Sequence, residues 1–81
     1  MIICKEDVYR VLSDVLGCDI QFIQQMNEED DLAVCGMDSV SAVQLIVKLE
    51  EVYEIEFQDV DMYIERINTL GKIFELLEKY Q

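Results

Sequence analysis

Along this chain the spacing of apolar positions changes several times, and each change marks an element. Between Lys5 and Leu16 they fall at Val8, Val11, Leu12, Val15 and Leu16, the i, i+3, i+4, i+7, i+8 spacing of one helical face. Gly17 follows where a left-handed residue would end such a helix. From 17 to 38 no period is sustained. Ile20, Phe22, Ile23, Met26, Leu32 and Val34 read as anchors pinning a long loop to a core, with room for a single helical turn within "DIQFIQQM". Unstructured loops of this length are uncommon in compact domains and usually functional. Helical spacing resumes over Ser39–Tyr53, entered through Asp38, a good N-cap whose charge suits the positive end of the helix dipole. A weaker, short third helix is predicted around Val60–Glu65, with Val60, Tyr63, Ile64 and Ile67 inward. The last runs over Thr69–Lys79, capped by Asn68 or Thr69, with Leu70, Ile73, Phe74 and Leu77 as its inner stripe, helped by Leu76 and Tyr80. Gly71 in its first turn costs up to about 1 kcal/mol relative to alanine. The pattern predicts an all-α fold: a small four-helix bundle with three longer helices, one short helix, and a long loop between helices one and two.

The helix after Asp38 is apolar on two sides. At 100° per residue, Ala42, Leu45, Ile46, Leu49 and Tyr53 form a complete core stripe. Val40, Val43 and Val47 lie about 130° away, with Gln44, Glu50, Glu51 and Glu54 beside them. Either the loop or the short third helix covers this second stripe, or it stays exposed as an apolar patch rimmed by carboxylates, which is a docking surface. Because the second stripe shares its helix with Ser39, docking with partial loop cover is the expectation.

Composition narrows the function. The 81 residues make one domain, 52% hydrophobic, which is too apolar for a disordered acidic tail. Eighteen acids against six Lys and Arg give a net charge of −12. Such a charge repels nucleic acid and anionic membrane surfaces and favours basic patches on proteins. Cys4, Cys18 and Cys35 form no CxxC, and histidine is absent, so no zinc site is expected. The acidic run Glu28–Asp31 lacks the alternating ligands and central glycine of an EF-hand, and reads as solvated loop. The apolar runs are too short to span a membrane. The start, "MIICKEDVYR", lacks a signal peptide's apolar region. A soluble cytoplasmic protein with reduced thiols is the expectation.

Ser39 is the candidate for chemistry, although a serine at a helix start is usually only a first-turn residue. Without histidine there is no Ser-His-Asp triad and no activated cysteine. Lys48 lies more than two helical turns along, so catalysis by this chain is not expected. The position does suit a phosphate ester, because the N–H groups and dipole of a helix N-terminus favour one. Gly36 lets the backbone turn and leaves room for an approaching partner.

The segment "DDLAVCGMDSVSAVQLIVKLEEVYEIEF", Asp30 to Phe57, resembles the central motif of acyl carrier proteins. The match is strongest at Gly36-Met37-Asp38-Ser39-Val40 and extends through Glu50-Glu51, and less specifically through helix placement over residues 1–81. The resemblance implies a freestanding carrier, not an enzyme, with a 4′-phosphopantetheine arm attached to Ser39 by a separate phosphopantetheinyl transferase using coenzyme A. Asp38 would assist that metal-assisted transfer. Val40, Val43, Val47, Glu50 and Glu51 would dock partners: an acyl- or aminoacyl-loading ligase or transferase, and downstream synthases with basic patches, in fatty-acid, polyketide or related biosynthesis. A long cargo could slip into the bundle interior, and a monomer suffices for this role.

The chain also departs from the family pattern. Housekeeping fatty-acid carriers commonly have acids two and five positions after the modified serine, where this chain has Ser41 and Gln44, and Lys48 adds a positive charge. A dedicated carrier for an unusual acyl chain, a polyketide unit or an amino acid therefore stands beside the main-synthase reading. The aspartate before the serine favours acyl over peptidyl carriers, with D-alanyl carriers close. The alternative class is an unmodified acidic interaction module with the same fold.

Overall fold

The structure is a computed structural model, which describes residues 3–80. Three long helices appear where apolar spacing places them: α1 (Lys5–Leu16), α3 (Ser39–Tyr53) and α4 (Leu70–Lys79). The fourth and shortest, α2 (Ile20–Gln24), occupies the connection between α1 and α3, where the sequence allowed one turn. Asp19 caps it by accepting the Gln21 N–H. The rest of that connection contains a 3-10 turn at Leu32–Cys35, capped by Asp31.

One core joins these elements. Val8, Val11 and Leu12 of α1 meet Ala42, Leu45, Ile46 and Leu49 of α3, and Leu70, Ile73, Phe74, Leu76 and Leu77 of α4 close the third side. Each fully buried aliphatic side chain contributes about 1.5–3 kcal/mol over its exposed state. Gly17 ends α1 at φ 69°, its N–H donating to the Ser13 carbonyl, as its position predicted.

The connection 17–38 is anchored by fewer of the expected residues, and by two unexpected ones. Ile23 and Leu32 are buried and Met26 is half-buried, but Phe22 and Val34 are exposed. Cys35 and Met37 are the additional pegs. Much of the anchoring is backbone pairing instead. The Leu32 N–H donates to the Asn68 carbonyl at 2.8 Å, and the Gly71 N–H donates to the Glu28 carbonyl at 2.9 Å. This pairing explains Gly71: a Cβ there would sit 3.2 Å from the Glu28 carbonyl oxygen. The glycine that weakens α4 lets the loop lie against its first turn. Glu28, Glu29, Asp30 and Asp31 are all exposed, as a solvated loop requires. Thr69, not Asn68, caps α4, accepting the Lys72 N–H at 3.2 Å.

The short helix expected around Val60–Glu65 does not form. Two separate 3-10 turns, Asp59–Asp61 and Ile64–Arg66, stand in its place. Val60 and Tyr63, expected inward, are exposed, Ile64 is half-buried, and Ile67 alone is fully buried. The cause is Asp61, the one buried charged side chain among the described residues. Its Oδ2 accepts from Lys79 Nζ at 2.8 Å and from the Tyr80 hydroxyl at 2.7 Å. The same Tyr80 oxygen accepts the Gln58 N–H at 2.8 Å. Turning Asp61 toward α4 carries Val60 and Tyr63 toward water.

Candidate functional site

The entry to α3 is built in three steps. Gly36 takes φ 92°, a left-handed conformation that L side chains rarely adopt, and reverses the chain after the 3-10 turn. Met37 then inserts into the core, 6% exposed, so Asp38 and Ser39 are presented at the surface. Finally Asp38, at φ −135° and ψ −174°, closes a capping box with Ser41. Asp38 Oδ1 accepts the Ser41 N–H at 2.9 Å, and the Ser41 hydroxyl accepts the Asp38 N–H at 2.8 Å. Those bonds from the Ser41 backbone and hydroxyl hold the Asp38 carboxyl below its ordinary value, so it stays ionised.

Ser41 therefore has a role that its sequence position concealed, since as a departure from the family pattern it looked like a loss. The signal was present: a serine three residues after an N-cap aspartate can return the second bond of the box. Ser39 sits between these two and takes no part in the cap. It is exposed, and its hydroxyl makes no hydrogen bond to the described residues. Beside it opens a cleft of about 260 Å³, lined by Ala42, Val43, Met62, Tyr63, Ile64 and Glu65.

The second stripe of α3 is largely uncovered. Val40 is 68% exposed, Val43 54% and Val47 46%, while the core stripe from Ala42 to Leu49 lies at 2% or less. The segment around Met62–Glu65 flanks the Val43 edge through the cleft just described, and Met62 also borders Val47. Val52, at 43%, is a further exposed apolar residue of this helix.

Glu50 and Glu51 behave differently from each other. Glu51 is exposed. Glu50 turns its carboxylate onto the chain that follows the helix, where Oε2 accepts the Phe57 N–H at 2.8 Å. Its backbone carbonyl also accepts from the N–H groups of Glu54 and Ile55, as Glu54 turns left-handed at φ 55°. The acid expected to dock a partner is thus engaged in the chain reversal after α3.

The cysteines form no competing site. Cys4 is exposed and Cys18 half-buried, while Cys35 is buried, its Sγ 3.5 Å from Met26 Sδ. Burial, and then the neighbouring Cys18, pushes the Cys35 thiol up to about 11, so it stays protonated. Among the described residues no group of three His, Cys, Asp or Glu side chains is placed to hold a metal ion, and no helix is long and apolar enough to cross a membrane.

An exposed, unbonded hydroxyl on the first residue of a 15-residue helix, beside an open cleft, fits a covalently attached phosphate ester without displacing any native contact. Residues 6–77 match the family described as "Phosphopantetheine attachment site". An acyl carrier protein of Syntrophobacter fumaroxidans is 37% identical over 70 residues, covering 85% of this chain and 80% of the relative. Acyl carrier proteins from two strains of Buchnera aphidicola subsp. Acyrthosiphon pisum are each 31% identical over 75 residues, 93% of this chain and 89% of the relative. With a family match over nearly its whole length, and relatives matched along most of theirs, this chain belongs to the acyl carrier protein family, whose members are carriers bearing 4′-phosphopantetheine and not catalysts.

Proposed function

We propose that Ser39 is the attachment residue and that this protein is a carrier in a specialised acyl pathway. The observation that carries the reading is the division of labour at the start of α3. Asp38 and Ser41 satisfy each other in the cap, which leaves the Ser39 hydroxyl exposed and free to react. In the modification, the Ser39 oxygen forms a bond to the phosphorus that bears the pantetheine arm of coenzyme A. The pyrophosphate P–O bond breaks, the nucleotide half leaves, and the serine proton passes to a base of the transferase. The ionised Asp38, one residue away, would help hold the metal ion of that enzyme. The terminal thiol of the attached arm supplies a thioester linkage for cargo.

The exposed valines Val40, Val43 and Val47, with Glu51, form the docking face for the transferase, a loading enzyme and downstream synthases. Glu50 supports that face through the Phe57 turn. Ser41 and Gln44, where housekeeping fatty-acid carriers commonly keep acids, and the added positive charge of Lys48 favour a dedicated pathway for an acyl, polyketide or aminoacyl unit. The carrier works as a monomer among cytoplasmic enzymes.

The test is an intact mass of the protein incubated with coenzyme A and a broad-specificity transferase, and of the protein from its own host. A gain matching phosphopantetheine, lost in Ser39→Ala, supports the reading. An unmodified chain beside an active transferase overturns it in favour of an unmodified interaction module.

A further inference from the structure

We infer that the enzyme acting on Ser39 seats itself over the groove between α1 and α3, through apolar contact with one charge of each sign, and not on a uniformly acidic face. The inference rests on the carrier reading and adds which surface is used and what chemistry the partner brings.

The distribution of charge on α3 comes first. The chain has 18 acids in 81 residues, yet Ser39 to Leu49 contains none. An eleven-residue surface helix segment free of carboxylates, in a protein of net charge −12, exposes Val40, Val43 and Val47 instead. On the α1 side Val43 and Val47 border a groove of about 510 Å³, lined also by Asp14, Val15, Gln44, Lys48 and Glu51. Lys48 makes no ion pair with any described residue, although Glu51 lies three positions further along the helix. The opposite flank of Val47 carries Glu50, Glu51, Glu56 and Asp59 around Ile55, Phe57 and Met62, with no cation, and Glu50 is already engaged by Phe57. The cation therefore lies toward α1, and the denser negative charge lies toward the 55–62 segment.

Reach comes second. Ser39 and Val47 are eight residues apart on one helix, about 12 Å along its axis. An ordinary interface covers about 800 Å² per partner, a patch of roughly 16 Å radius. An enzyme whose reacting atoms lie over Ser39 thus covers Val43 and Val47 as well. Its complementary surface carries an aliphatic ridge for the valines, a carboxylate opposite Lys48, and a cation near Asp14 and Glu51. Apolar contact is insensitive to ionic strength, and the two opposed charge contacts largely cancel in their response to salt.

The test measures steady-state kinetics of modification with coenzyme A and a broad-specificity phosphopantetheinyl transferase, varying the carrier. Val47→Asp, with Val47→Ser as the milder variant, raises the KM for the carrier about tenfold or more and leaves kcat near that of the unsubstituted chain. Lys48→Glu raises KM several-fold, and Glu56→Lys on the opposite flank changes it less than about twofold. Raising NaCl from about 50 to 300 mM changes KM less than about threefold, because screening acts only on the exposed charges. Circular dichroism confirms that each variant folds, as expected for side chains this exposed. If Val47→Asp and Lys48→Glu leave KM unchanged while Glu56→Lys or salt moves it tenfold, the acidic flank is the seat and the inference is wrong. If the unsubstituted chain is never modified, the carrier reading itself fails, which is a distinguishable result.

Discussion

Asp61 offers the sharpest test of how the segment bordering the Ser39 cleft is held. Replacing it by alanine removes the bond from Lys79 at 2.8 Å and the bond from the Tyr80 hydroxyl at 2.7 Å. A hydrogen bond to a charged group contributes about 1.5–3 kcal/mol when buried. Asp61 itself is 2% exposed, but the Lys79 side chain is half exposed, so that partner counts at the level of a surface pair, up to about 1 kcal/mol. The expected loss is therefore about 2–2.5 kcal/mol, the bond from Tyr80 supplying the larger share. With a urea slope of about 1 kcal/mol/M for a domain of this size, the midpoint falls by about 2 M. Tyr80→Phe alone costs about 2 kcal/mol, since it removes the same bond to Asp61 and also strips the Gln58 N–H of its acceptor. The double variant should cost clearly less than the sum, because the two residues share one bond. The pH dependence has a definite sign. The bonds from Lys79 and Tyr80 hold the Asp61 carboxyl below its ordinary value, so on acidification the unfolded chain takes up the proton first. The contribution of Asp61 is fully present above the ordinary carboxylate range and is lost as pH falls through the lower folded value. The gap between native and Asp61→Ala proteins should stay constant above about pH 5 and close below about pH 4. A midpoint shift worth less than about 0.5 kcal/mol, or strict additivity with Tyr80→Phe, would refute this account of the segment.

Three further outcomes follow from the geometry. Glu50→Ala should cost about 1–2 kcal/mol in chemical denaturation by leaving the buried Phe57 N–H without its acceptor, whereas Glu51→Ala should stay within about 0.5 kcal/mol; equal effects would contradict the assigned roles. Glu54→Gly should raise stability by about 0.5–1 kcal/mol, since a non-glycine residue holds a left-handed conformation there, and an unchanged melting temperature would show that φ 55° costs nothing. Iodoacetamide at pH 8 should label Cys4 first and Cys35 only on unfolding, because a thiol pushed up to about 11 is roughly 0.1% thiolate at that pH; mass spectrometry of peptides gives the order, and early labelling of Cys35 would show that its pocket opens.

Much of this molecule was legible in the sequence because the relevant signals are local. The three long helices follow from side chains three and four positions apart, and Gly17, Asp38 and Thr69 bound them by conformations or bonds within four residues. The exposed position of Ser39 at the head of α3 was legible too, through Gly36-Met37-Asp38-Ser39 as a unit. The misreadings share a different cause. Asp61 turns inward for partners 18 and 19 residues away, which reverses the exposure of Val60 and Tyr63. Gly71 weakens a helix for the sake of a loop 43 positions earlier, as its bond to Glu28 shows. Glu50 looked free because its acceptor role depends on a chain reversal that periodicity does not describe. Pairings across the fold escape any reading based on spacing, and polar residues suffer most, since their place depends on one partner and not on a face.

The capping box at the head of α3 has a thermodynamic consequence. Asp38 and Ser41 complete the helix start between themselves, so esterifying Ser39 breaks no bond of the folded chain. A modification that perturbs folded and unfolded chains alike shifts the folding equilibrium very little. The bare and modified proteins should therefore unfold at nearly the same temperature. With the arm on Ser39, as proposed, the chain folds before it is modified and gains or loses the arm without passing through a destabilised form. Folding and modification then become independent events, each free to be controlled without the other.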